Sequence, residues 1–167
     1  AALLSIEREN TDKVTRYIAD AKAHDIEVLP PDINQSDVDF TVQPGRKIRF
    51  GLGAIKGAGQ IAIDSVIESR ETKGEFEDLY DVTSRTSNQK VNKRVIEAFI
   101  KAGAMDSFNV HRASLFAAVD EALAAGSALQ KTRDDNQASF EDLFGKEEDV
   151  MVSERKVEYP DKEPWNR

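Results

Sequence analysis

The chain has 167 residues, enough for one domain or for a small domain with an extension. It has no cysteine, which excludes disulfides, thiolate zinc sites and a cysteine nucleophile, and no apolar run approaching the roughly 18 residues of a membrane-spanning helix. Its net charge of −8 weighs against a nucleic-acid partner, yet residues 1–40 sum to −5, 41–115 to +3 and 116–167 to −6, so a mildly basic middle lies between acidic flanks.

In chain order, Thr11 and Asp12 supply an N-cap and an acidic first turn, and Val14, Tyr17, Ile18 and Ala21 recur at helical spacing, which predicts a helix over 12–23. Ile26–Leu29 is a short strand candidate, ended by Pro30-Pro31. Val38, Phe40 and Val42 alternate with polar residues, Pro44-Gly45 fits the middle of a type II turn, and Ile48 and Phe50 resume the alternation, giving a small β-hairpin. Leu52–Ile55 ends a short helix, Lys56-Gly57-Ala58-Gly59 breaks it, and Gln60 to about Arg70 resumes with Ile63, Val66 and Ile67 on one face. Phe76, Leu79, Tyr80 and Val82 suggest another short helix. A stronger one runs from the N-cap Asn92 through Val95, Ile96, Phe99 and Ile100 to Gly103, a residue suited to the left-handed position that closes a helix. Residues 112–125 form a further helix with Leu115, Phe116, Val119 and Leu123 as its stripe. After about Gln130 the chain is charged and poor in spaced apolar residues, so it is expected to be extended or disordered in isolation. The fold class is mainly α with a minor β-hairpin.

The segment Ile55-Lys56-Gly57-Ala58-Gly59-Gln60 carries the chemistry. Two glycines at i and i+2 let the chain turn with positive φ and let an anion reach main-chain N–H groups. The following helix start adds free donors and a positive dipole end, and Lys56 adds charge, so a phosphate oxygen would fit. Such contacts grip a DNA backbone without reading sequence. The alternative is that Gly57 and Gly59 only cap one helix and start another. A dinucleotide fingerprint fits worse, because Ala62 stands where a third glycine is needed and no βαβ unit follows. Lys90, Lys93 and Arg94 cluster at the start of the 92–102 helix, where basic residues oppose the dipole; a negatively charged partner or a solvated helix end explains them. Lys101, in the last turn, is accounted for as dipole complementation. His24 and His111 lack partners at metal-ligand or triad spacing.

The stretches VLPPDINQSDVDFTV, KIRFGLGAIKGAGQ and KVNKRVIEAFIKAGAMDSF resemble the end of the fingers region and the adjoining helix-hairpin-helix domain of the bacterial DNA polymerase III alpha subunits, the C-family replicative polymerases. The leading AALLSIERENTDKVTRYIADAK is similar to the helix entering that region, and the match covers about residues 1–130. The resemblance implies three units: 1–36 as the end of the fingers, 37–128 as a helix-hairpin-helix DNA-binding domain with its entering β-hairpin, and 129–167 as an acidic flexible linker. It implies a cytoplasmic bacterial parent that performs DNA-directed DNA synthesis with Mg2+, as part of the polymerase III holoenzyme. The catalytic aspartates belong to a palm upstream, so this segment is expected to carry no catalysis, no cofactor and no metal of its own. The start without Met and the closing Glu163–Arg167 are read as internal cuts, which leaves Trp165 without its packing partner.

Within the family the helix-hairpin-helix domain grips duplex DNA, and the matching positions are Lys56, Gly57, Ala58, Gly59 and Gln60. Ala58 and Ile61 depart from the larger apolar residue and the Lys often found there. The family also carries a peptide that binds the sliding clamp, of the form Gln-x-Ser/Asp-Leu/Met-Phe. Gln137, Ser139, Leu143 and Phe144 supply those residue types, with Phe140-Glu141-Asp142 intervening. A protein-interaction or spacer segment with no DNA binding of its own is the competing expectation.

Overall fold

The computed structural model describes residues 1–8, 10–141 and 158–165, with side chains on the last helix described through Arg133. Two short helices come first, α1 (Ala2–Ile6) and α2 (Thr11–Ala23). The α2 cap is Asn10 rather than Thr11: the Lys13 N–H donates to Asn10 Oδ1 at 3.1 Å, and Thr11 is already helical, its carbonyl accepting from Thr15 Oγ1. Asn is the stronger cap because its carbonyl reaches the third N–H with little strain.

Three short strands follow: β1 (Glu27–Leu29), β2 (Thr41–Gln43) and β3 (Lys47–Arg49). The expected hairpin is present as antiparallel β2–β3, turning through Gly45 at φ +79°. It is enlarged by β1, which pairs parallel to β3 with Val28 opposite Ile48, so the sheet order is β1-β3-β2. Buried Ile48, on the central strand, packs with Leu4, Val14 and Phe40 in a small cluster under α1 and α2. Phe50 bridges this cluster to the larger core, its ring tilted against Phe40 at 4.7 Å.

A single 3₁₀ turn at Leu52–Ala54 then leads into four helices: α3 (Gln60–Lys73), α4 (Leu79–Arg85), α5 (Lys93–Ala102) and α6 (Arg112–Glu141). The main core lies among them, with Ile63, Val66, Leu79, Val82, Ile96, Phe99 and Leu115 fully buried. Each such side chain contributes about 1.5–3 kcal/mol on transfer from water. α5 follows its sequence signals: Asn92 Oδ1 accepts from the Val95 N–H, and Gly103 closes the helix in the left-handed region at φ +83°. Asn34 brackets the α3–α4 connection from both sides, donating to the Phe76 carbonyl and accepting from its N–H at 2.9 and 2.8 Å.

α6 continues past residue 125 and runs through the boundary drawn at 128/129. The reason is Gln130, whose side-chain amide donates to the carbonyls of Thr83, Ser84 and Thr86 at the end of α4. A polar contact thus extends a helix that apolar spacing alone would end. Residues 158–165 have no helix or strand, yet they lie against the domain. The Leu79 N–H donates to Tyr159 Oη at 3.1 Å, capping α4, and Tyr159 packs edge-on to Tyr80 at 5.9 Å. Burial holds the Tyr159 hydroxyl well above the usual tyrosine range. Trp165, expected to lack a partner, packs against Phe116 of α6 with ring centroids 5.5 Å apart.

Candidate nucleic-acid interface

The glycine hairpin is set by the residues on either side of it. Leu52 and Ile55 are buried in the main core and fix the approach. The Ala58 N–H returns to the Ile55 carbonyl at 3.1 Å, which closes a tight turn around Lys56 and Gly57. Positive φ, expected at both glycines, occurs only at Gly57, at +96°. Gly59 is extended at φ −73° and ψ 153°, and a Cβ there would meet no atom within 4 Å. The reversal is complete at Gly57, so Gly59 need only lead the chain into α3.

With glycine as its N-cap, α3 has no side chain to bind its first donors. The Gly59 carbonyl accepts from Ala62 and Ile63 at 3.0 and 3.1 Å. The N–H groups of Gly57, Gly59, Gln60 and Ile61 have no acceptor among the described residues. These donors lie at the positive end of α3. The Gln60 side chain is engaged elsewhere, donating to Asp64 Oδ1 at 2.7 Å, so its contribution to the hairpin is its main-chain N–H. Ala58 packs against the core, and Ile61 is 70% exposed on the first turn of α3.

α5 supplies the facing wall. A Cβ on Gly57 would stand 3.6 Å from that of Ala98, an ordinary contact distance. Between hairpin and helix lies a groove of about 560 Å³, lined among others by Phe50, Lys56, Gly57, Arg94, Glu97 and Lys101. Lys56 and Arg94 are exposed and form no ion pair among the described residues. The fold thus brings Lys56, Gly57 and Arg94 to one groove.

Lys93 points elsewhere. Its Nζ lies 2.7 Å from Asp120 of α6, and that hydrogen bond, followed by the attraction of Asp120 and Glu97, raises its pKa above the usual lysine value despite partial desolvation. Lys90 sits in the turn before α5, its N–H donating to the Ser87 carbonyl, and does not line the groove. Lys101 and Phe50 do line it and were not among the expected site residues. Lys101 stands seven positions after Arg94, two helical turns on, so the spacing alone carries the signal that both share a face. Its Nζ is 3.5 Å from Glu97 and 4.9 Å above the Phe116 ring.

Gln137 and Ser139 of the expected clamp peptide fall on the backbone of α6, where their side chains are not described. Leu143 and Phe144 lie outside the described residues. No group of three or more His, Asp or Glu side chains among the described residues is arranged to hold a metal ion. No helix among them is long and apolar enough to cross a membrane.

The helix-hairpin-helix motif family matches residues 25–115, which contain the sheet, the hairpin and the helices that pack on it. DNA polymerase III subunit alpha of Neisseria meningitidis serogroup A is 42% identical over 160 residues, covering 96% of this chain and 14% of the relative. The same subunit of Deinococcus radiodurans is 45% identical over 150 residues, covering 89% and 11%, and that of Escherichia coli K12 is 35% identical over 167 residues, covering 99% and 14%. The chain thus spans about one seventh or less of the length of these relatives. It belongs to the helix-hairpin-helix motif family, and its sequence matches a segment of DNA polymerase III subunit alpha.

Proposed function

We propose that this segment grips the sugar-phosphate backbone of duplex DNA for a replicative polymerase, through the 56–60 hairpin and Arg94. The supporting observation is that Lys56, Gly57 and Arg94 line one groove, with neither cation in an ion pair among the described residues, beside a helix start whose first N–H groups have no acceptor there. Phosphate oxygens satisfy such donors without sequence readout, as a polymerase that copies any template requires. Lys90, in the turn before α5, lies outside the groove and is not part of this grip. Template-directed nucleotidyl transfer with Mg2+, a bacterial cytoplasmic setting and the polymerase III holoenzyme as partner are taken from the relatives' identity. We assign that chemistry to the longer protein rather than to this segment.

The test is fluorescence anisotropy on a labelled blunt duplex across a salt series. Affinity should fall with salt, and Lys56→Ala with Arg94→Ala should flatten the log–log slope by about two, one contact for each cation removed. An unchanged slope would show that these side chains do not meet phosphate.

Sliding-clamp docking through Gln137, Ser139, Leu143 and Phe144 is a second reading. One observation favours it: α6 is tied to the core at Gln130 and continues beyond it with Lys131, Thr132 and Arg133 exposed. Titration of a 133–148 peptide onto the cognate clamp tests it, with Leu143→Ala and Phe144→Ala expected to abolish binding.

A further inference from the structure

The groove beside the hairpin contains more than a duplex backbone needs. Phosphate and sugar oxygens meet N–H groups and cations; they have no use for an apolar floor. Here exposed Lys56 and Arg94 share the lining with buried Ile55 and half-buried Phe50 and Ala98. The Phe50 ring is held in place by its tilted contact with Phe40, and its carbonyl accepts from buried Ser36 Oγ at 2.7 Å. An aromatic ring beside unpaired cations is the pairing by which single-stranded nucleic acid is held, the base against the ring and the phosphate on the cations. At about 560 Å³ the groove also lies within the roughly 300–1,000 Å³ of small-ligand sites. Glu97 is its one lining carboxylate among the described residues, and Lys101 stands 3.5 Å from it.

We propose that this groove seats one unpaired nucleotide of a DNA strand, its base against Phe50 and Ala98 and its phosphate between Lys56 and Arg94. The proposal rests on the backbone-gripping reading above and extends it from a paired duplex to the junction where pairing ends. Charge complementarity selects the occupant: the free cations call for an anion, and the apolar floor calls for a flat, weakly solvated group attached to it. A nucleotide carries both.

The test measures anisotropy of the full chain on a blunt duplex, on the same duplex with a single-nucleotide overhang, and on one whose overhang is abasic. The overhang should tighten binding about tenfold, and the abasic overhang should lose that gain. Glu97→Gln, which removes the opposing carboxylate, should strengthen binding to the overhang more than to the blunt end. Equal affinity for the abasic and intact overhangs, or an equal effect of Glu97→Gln on all ends, overturns the proposal. Failure of the blunt duplex to bind at all instead sinks the backbone-gripping reading, so the two failures are distinct.

Discussion

Gly126 of α6 lies so close to Thr83 of α4 that a Cβ placed on it would clash with the Thr83 carbonyl oxygen. Thr83 cannot yield easily, because its Oγ1 donates to the Ala122 carbonyl at 2.8 Å and its carbonyl accepts from Gln130. Gly126→Ala sets two effects against each other. Helix propensity favours alanine by about 1 kcal/mol, while a forced separation of packed helices costs about 1–3 kcal/mol. Separation should win, lowering stability by up to about 2 kcal/mol in urea unfolding; a stabilised variant would mean that the crossing is looser than described.

Arg85 is the second keystone of α4. Its guanidinium donates to the carbonyls of Ser69, Gly74 and Glu75, pairs with Asp81 at 2.8 Å and stacks 4.3 Å above the Phe76 ring. With its side chain only 9% exposed, these interactions are little screened. Arg85→Ala should cost about 3 kcal/mol by stripping several acceptors at once. Arg85→Lys should recover a minor part, since an ammonium cannot present the planar fork. Full rescue by Lys would reduce the site to a simple ion pair.

The two hairpin glycines should behave differently. Gly57→Ala places a side chain at φ +96° and should cost about 1–2 kcal/mol. Gly59→Ser meets no neighbour and can cap α3, so stability should stay within about half a kcal/mol. Its hydroxyl would nevertheless take up donors of the first turn, and duplex affinity should fall. Parallel unfolding and anisotropy measurements on both variants check the contrast.

Stability should fall at high pH through Tyr159. Its folded-state pKa is raised above the ordinary tyrosine value of 10.0, first by burial, with Asp78 and Tyr80 adding to the rise. Above about pH 10 the unfolded chain therefore binds fewer protons than the folded one, and unfolding is favoured as pH rises. Below that the contribution is constant. Tyr159→Phe should cost about 1 kcal/mol at neutral pH through the lost acceptor for Leu79 and should show a shallower alkaline decline. Urea midpoints from pH 7 to 11 in both proteins provide the comparison.

What the sequence makes legible here is local chemistry. Asn92 and Gly103 mark the ends of α5 because capping depends on residues a few positions apart. The hairpin with Lys56 and Gly57 is visible for the same reason. The addition of β1 to the sheet is not, since parallel pairing with β3 depends on a register set by the intervening chain. Gly59 misleads because glycine permits positive φ without requiring it. The length of α6 and the contacts of Tyr159 and Trp165 are missed because Gln130, Tyr159 and Trp165 are isolated in the sequence, and their partners Thr86, Leu79 and Phe116 become neighbours only in the fold. The groove has the same origin, since Phe50, Lys56 and Arg94 come from separate elements.

α6 persists as a helix to Glu141. Each residue inserted or removed between Gln130 and Glu141 would swing the departing chain by about 100° and shift it by about 1.5 Å relative to the hairpin. Segment length in this stretch is therefore an angular setting: changes of three or four residues nearly restore the bearing, whereas a change of two reverses it.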